Sequence, residues 1–283
     1  MPDSTEQFPR SKTLPSQSPL FWVEQKDRYL RQLAIRDIEE QTGRRLVVYY
    51  ANRFENAQID PKDTAFMAEL LGDVGDSPVD LLLETAGGAT DATEALISLI
   101  QSAISDLNVI VANAAKSNGT LLALGAKKIV MGATSELGPI EPSIQGIPCT
   151  ILVEPQIATT NYPLHKYGVY ALQQTKALAT RLLKNGMMKG KADSIIEDTV
   201  KRLASRDTYA SHGSVIDHRE AKELGLNVEY LPPDGDLWQR LWLLHCMVAY
   251  DCQKSRYLKL FEGRARSTAV VSPVPPSPPS PGP

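Results

Sequence analysis

Apolar residues fall along this chain in two alternating rhythms. Short runs in which most residues are apolar (46–50, 79–85, 108–112 and 128–131) are separated by longer stretches whose apolar positions recur every three or four residues. The first rhythm is that of strands buried on both faces, and the second that of amphipathic helices. A helix is predicted over 22–42, with Leu30, Leu33, Ala34 and Ile38 at helical spacing and Gly43 as its stop. Further helices are predicted over 60–71, which Asp60 or Asp63 would cap, over 91–107 and from 119 to 125. Strands joined through such helices need right-handed crossovers. The expectation is an α/β fold with a mainly parallel sheet.

Beyond residue 150 the rhythm is helical: 167–184, 192–203, 217–225 closed by Gly225, and a long 237–261. That last stretch carries Trp238, Leu241, Trp242, Leu244 and Met247 and is apolar around more than one face. It belongs either in the core or at a contact between subunits. The two ends differ from everything between them. Residues 1–19 are rich in Ser, Pro and Gln without periodicity and read as a flexible arm. Residues 267–283 read as a disordered proline-rich tail, because proline removes backbone donors and favours an extended chain. One domain over 20–266 is expected.

Bulk properties narrow the function classes. At 283 residues the chain can bury one large core, and its 42% hydrophobic and 22% charged content is that of a soluble globular protein. A net charge of −3 with no dominant basic run leaves no footprint for a phosphate backbone, so no nucleic-acid partner is expected. Cys149, Cys246 and Cys252 form no CxxC pair and histidines number four, which fits neither a disulfide framework nor a zinc site. No glycine-rich nucleotide fingerprint is present either, and no metal or cofactor is expected. The start of the chain lacks the pattern of a secretory signal, and no stretch reaches the ~18 apolar residues of a membrane span. A soluble, cytoplasmic protein is the expectation.

The candidate chemistry lies between the second and fourth strands. Thr85-Ala86-Gly87-Gly88 ends a strand and leads into a helix. Consecutive glycines free the backbone and let a ligand approach its amides, which suits a developing negative charge. Taken alone, a Gly-Gly pair is more often a tight turn. Ala115-Lys116-Ser117-Asn118-Gly119-Thr120 puts a serine between a strand and a helix, at the edge where open α/β sheets bind ligands. Taken alone, Ser117 is most simply a helix cap. Leu137-Gly138-Pro139-Ile140-Glu141-Pro142 follows.

The order of these pieces resembles the Clp/crotonase superfamily and, within it, the SDH-type (serine dehydrogenase proteinase) family related to signal peptide peptidase A. Those proteins carry Thr-Pro-Gly-Gly, then Ser-Ala-Gly-Thr or Ser-Gly-Gly-Thr, then Ala-Ala-Asp-Glu-Ile-Val-Met and Leu-Gly-Pro-Ile-Asp-Pro. The counterparts here are Thr85–Gly88, Ser117–Thr120, Gly125–Met131 and Leu137–Pro142, with Glu220-Ala221-Lys222-Glu223-Leu224-Gly225-Leu226 farther on. The resemblance spans about residues 25–230 and implies a Clp/crotonase-like sheet of repeated ββα units with C-terminal helices. It also implies a serine peptidase in which Ser117 is the nucleophile and the amides of Gly87, Gly88 and Asn118 form the oxyanion hole. Ala86 in place of proline, Lys116 in place of a small or apolar residue, and Asn118 in place of Ala or Gly depart from the family pattern.

The base is open at this point. The Clp triad would put a histidine near 140–145, where none occurs. A Ser-Lys dyad needs a lysine whose pKa burial has lowered towards neutrality. Among Lys166, Lys176 and Lys184, Lys176 borders the apolar stripe Ala171, Leu172, Leu178, Ala179, Leu182 and Leu183, and is preferred. His212, in Tyr209-Ala210-Ser211-His212-Gly213-Ser214, matches a histidine common in the family and is the other contender. A protein or peptide substrate and a homo-oligomer are expected, with membrane association left open. A crotonase-type acyl-CoA enzyme and a non-catalytic scaffold of the same fold are the alternatives.

Overall fold

The structure, a computed structural model, describes residues 18–272. In chain order it contains α1 (Pro19–Glu24), α2 (Lys26–Thr42), β1 (Arg45–Ala51), α3 (Asp63–Leu71), β2 (Val79–Glu84), α4 (Thr90–Ala103), β3 (Leu107–Val111), β4 (Ala114–Ala115), α5 (Asn118–Leu124), β5 (Lys128–Met131) and β6 (Glu136–Leu137). Then come β7 (Ser143–Ile144), β8 (Ile147–Pro148), α6 (Cys149–Leu152), α7 (Pro155–Thr160), α8 (Tyr162–Asn185), α9 (Asp193–Leu203), α10 (His218–Glu223), β9 (Val228–Tyr230), α11 (Asp236–Ser255), β10 (Tyr257–Glu262) and β11 (Ser267–Val271).

The main sheet has the order β11-β10-β1-β2-β3-β5-β9. The five strands from β1 to β9 are parallel, and β10 and β11 add antiparallel strands at one edge. Register explains the continuous apolar runs. Val47, Leu81, Val109, Ile129 and Val228 lie side by side and face one core, while their neighbours Val48, Leu82, Ile110 and Val130 face the other. Both faces are therefore covered, and each buried Val, Leu or Ile contributes roughly 1.5–3 kcal/mol. The first core is closed by Met67 of α3, Leu96 of α4, Leu121 of α5, Leu182 of α8 and Val200 of α9. The second is closed by Ile35 and Ile38 of α2 and by Trp238, Leu241, Leu244 and Val248 of α11.

Several boundaries differ from the sequence expectation. The helix expected over 237–261 ends at Ser255: Arg256 turns left-handed at φ 55°, and Tyr257–Glu262 pairs with β1. The alternating side chains of Tyr257-Leu-Lys-Leu-Phe suit a strand, and tertiary pairing outweighs the helical run before it. Ser267–Val271, assigned to the disordered tail, instead forms β11 against β10, so the domain extends past 266. The rest of the expected flexible arm and proline-rich tail, residues 1–17 and 273–283, lies outside the described residues. The helix expected over 22–42 is broken at Gln25, and that expected over 60–71 starts at Asp63. Neither Asp60 nor Asp63 caps that helix. Lys259, buried on β10, binds both carboxylates, at 2.6 and 2.7 Å.

At the carboxyl ends of the parallel strands the chain adds a short second layer. Thr85 bridges Ala115 in parallel, β4 pairs with β6, and Leu137 bridges Ile216. Strand, short strand and helix thus recur, as β2–Thr85–α4 and β3–β4–α5. This second layer carries the residues of interest. Among the described residues no helix is long and apolar enough to cross a membrane.

Candidate active site

Ser117 stands at the turn between β4 and α5 with φ 53° and ψ −118°. That backbone region strongly favours glycine, and holding serine there costs of order 1–3 kcal/mol. Ser117 occupies the N-cap position, yet its side chain makes no capping hydrogen bond. Among the described residues nothing bonds its hydroxyl, and the residue is half-buried. The turn is made possible by small neighbours two residues away on each side. A Cβ on Gly119 would lie 2.5 Å from Thr85 Cγ2 and 3.5 Å from Ala115 Cβ. The sharp strand-to-helix elbow is therefore built from Ala115-x-Ser117-x-Gly119, without the Gly-x-Ser-x-Gly string that marks such elbows in other hydrolases.

The glycine pair packs directly on this elbow. Gly87 has φ 108°, and a Cβ there would sit 2.8 Å from Ser117 Cβ. Gly88 is clasped by the neighbouring segment: Ile59 N–H donates to Gly87 O (2.8 Å) and Ala89 N–H donates to Ile59 O (3.0 Å). The main-chain donors differ from the expectation in one respect. Gly87 N–H already donates to Thr85 Oγ1 at 3.0 Å, so it is committed to holding the turn. The N–H groups of Gly88 and Asn118 have no acceptor among the described residues. Asn118 ties them together, because its Nδ2 donates to Gly88 O at 2.6 Å. Its Oδ1 is buried without a partner.

The candidate bases separate by environment. Lys176 is exposed on α8, so the burial that a lysine base requires is lacking: bordering an apolar stripe did not bury it. Lys184 is exposed and pairs with Asp193 at 2.8 Å, while Lys166 lies over the rings of Tyr162 and Tyr170. Three histidines have packing or hydrogen-bond partners: His165 Nδ1 is 3.1 Å from Leu152 O, His218 stacks on Tyr230, and His245 stacks on Trp242. His212 is half-buried in the loop that leads to Ile216, which bonds Leu137 beside the elbow. Burial holds its imidazole below the ordinary value, opposed by the Glu141 carboxylate and reinforced by the Arg206 and Lys116 charges. Glu141 is itself buried, accepting from Thr150 Oγ1 and from Arg206 Nε (2.8 Å).

A charge chain beside the elbow was not foreseen. Lys116 Nζ pairs with Glu136 at 3.0 Å, Arg53 pairs with Glu136 at 3.1 Å and with Glu84 at 3.3 Å. Glu84 accepts from Ala114 N–H (2.9 Å) and Asn113 Nδ2 (3.0 Å), fixing the approach to the elbow. Burial pushes its carboxyl up to about 7, against the pull of those donors and of Arg53. The signal was present in sequence: Glu84 is a carboxylate closing an apolar strand, and Lys116 departs from the family pattern.

A parallel α/β sheet with recurring ββα units, carrying a strained serine beside a glycine-rich turn, is a Clp-like fold. Residues 70–243 match the family described as ClpP-like SDH-type serine proteinase, and the chain belongs to that family. Two relatives are uncharacterized proteins of Methanocaldococcus jannaschii. One is 30% identical over 168 residues, covering 56% of this chain and 56% of the relative; the other is 28% identical over 159 residues, covering 54% and 52%. The chain thus matches about half the length of these relatives. A ClpP1 variant from Listeria monocytogenes superposes at a TM-score of 0.45 with 16% identity, over 70% of this chain and 94% of that one.

Proposed function

We propose that the chain hydrolyses peptide bonds through an acyl-enzyme on Ser117, with His212 as the base. Ser117 Oγ attacks the scissile carbonyl carbon and its proton passes to the imidazole. The C–N bond breaks, the leaving amine takes that proton, and water then releases the acyl group by the same route in reverse. The N–H groups of Gly88 and Asn118 receive the developing oxyanion, a contribution of about 3 kcal/mol for each donor. The N-terminus of the 14-residue α4, just past Gly88, adds positive potential.

The observation that carries this reading is Ser117 itself: a non-glycine residue held at φ 53°, in a capping position that it does not use. His212 is preferred to Lys176 because its burial favours the neutral, proton-accepting form at neutral pH. Self-association is part of the proposal. Leu243 and Tyr250 project from α11 at 57% and 64% exposure, one helical face apart from the buried stripe.

The test is labelling with a fluorophosphonate probe followed by peptide mapping. Label on Ser117, lost in Ser117→Ala and slowed at least a hundredfold in His212→Ala, is the expected outcome. Full-rate labelling or peptide turnover by Ser117→Ala would overturn it.

A further inference from the structure

Lys116 is an unusual residue to find beside a small-residue elbow, and its placement is specific. Its stem crosses Gly138 so closely that a Cβ on that glycine would lie 2.7 Å from Lys116 Cδ. Its Nζ donates to Leu137 O (3.1 Å) and to Ser214 O (3.0 Å) and pairs with Glu136 at 3.0 Å. An ammonium group has three donors, and here each has an acceptor. The side chain is only 13% exposed. Burial lowers its pKa and the Glu136 carboxylate opposes that shift, while all three donors are engaged, so the group is held as a donor and not as a free amine beside Ser117. What it does is join two pieces of chain that are remote in sequence. One end belongs to the elbow. The other is fastened to the loop in which Ser211 Oγ accepts from Gly213 N–H (3.1 Å), Ser214 N–H donates to Ser211 O (3.0 Å), and His212 lies between them.

We propose that Lys116 is a positioning residue: its ammonium group latches the His212 loop to the Ser117 elbow and sets a fixed positive charge near the imidazole. The catalytic part of this proposal rests on the reading of Ser117 and His212 given above. The charged groups that face His212 are Glu141, from the segment after β6, Arg206, from the segment after α9, and Lys116. The Lys116 charge is opposed by Glu136, with Arg53 beyond it. Removing the Lys116 charge therefore favours the protonated imidazole, and removing the Glu136 charge favours the neutral one.

Lys116→Met keeps the stem over Gly138 and deletes both the charge and the donors. The His212 titration is followed by NMR of the imidazole C–H signals, assigned with His212→Ala, so the readout does not depend on turnover. The expected result is a raised midpoint in Lys116→Met. The acid limb of the Ser117 labelling rate should move up in parallel, with a plateau about tenfold lower. Lys116→Arg should restore the wild-type midpoint. Glu136→Gln should lower the midpoint, and covers the case in which Lys116→Met does not fold. A His212 midpoint unmoved in Lys116→Met, or unmoved in Glu136→Gln if only that variant folds, overturns the latch. Failure of wild-type Ser117 to label, with the midpoint still moving as expected, instead overturns the catalytic reading and leaves the electrostatic latch standing.

Discussion

The side-chain amide of Asn118 donates to the carbonyl of Gly88 at 2.6 Å, so one residue fixes both free main-chain donors beside Ser117. A bulkier residue after the serine would be expected to crowd the site. Instead the amide folds back over the glycine turn, with a longer contact of 3.4 Å to Thr90 Oγ1. Asn118→Ala should lower kcat about tenfold, the equivalent of one hydrogen bond of about 1.4 kcal/mol, with little change in KM. Asn118→Asp should be worse, because its carboxylate faces both the Gly88 carbonyl and the developing oxyanion. Steady-state kinetics on a peptide substrate, with melting temperatures as a control for folding, check both; equal kinetics for wild type and Asn118→Asp would remove Asn118 from the site.

The two glycines should respond differently to alanine. At Gly88 the new Cβ would meet backbone atoms of Ile59 at 2.3 and 2.4 Å, which cannot move without opening the clasp. Gly88→Ala should fold poorly. At Gly87 the nearest atom is Ser117 Cβ at 2.8 Å, and φ is 108°. Gly87→Ala should displace the serine and lose most activity with the smaller loss of stability. Soluble yield and thermal melts, compared with Ser117 labelling, distinguish the two, and the reverse ranking contradicts the packing described.

Two buried titratable groups near Arg53 should give opposite pH dependence of stability. Glu84 titrates at about 7 in the folded chain against an ordinary 4.5. Between those values the unfolded chain has lost a proton that the folded chain keeps, so stability falls as pH rises through this window. His245 titrates at about 4 against 6.5, chiefly because of burial. Below 6.5 the unfolded chain gains a proton that the folded chain refuses, so stability falls as pH drops through 6.5 towards 4. In wild type the slopes oppose one another. His245→Phe, which keeps a ring against Trp242, should leave a melting temperature that declines from pH 4.5 to 7. Glu84→Gln should leave one that declines from pH 6.5 to 4.5. Melts across that range, with superimposable profiles for all three proteins, would contradict both assignments.

The exposed face of α11 offers a test of self-association. Leu243 and Tyr250, two turns apart, are exposed, with Met247 half-buried between them. Leu243→Glu combined with Tyr250→Glu should reduce the mass measured by light scattering, with the melting temperature of the subunit nearly unchanged. An unchanged mass for an oligomeric wild type would move the contact elsewhere.

The sequence by itself determined the parallel sheet and the order of the turns that carry the candidate site. Continuous apolar runs such as 46–50 allow few arrangements other than a strand covered on both faces, and small residues around Ser117 mark a turn too sharp for larger ones. Local pattern was also enough to place the family motifs in order. It failed where distant partners decide. Tyr257–Glu262 continues the apolar density of α11 and is a strand because β1 has a free edge to pair with. Bordering an apolar stripe made Lys176 attractive, but only packing decides whether a stripe's margin is covered, and there it is not. Which glycine amide is free depended on the rotamer of Thr85. Lys116, His212 and Glu141 were brought into one electrostatic group by a loop closing over 98 positions, from Lys116 to Ser214. A contact of that separation leaves no periodic trace in the chain, because it is set by how the layers stack and not by any residue's near neighbours.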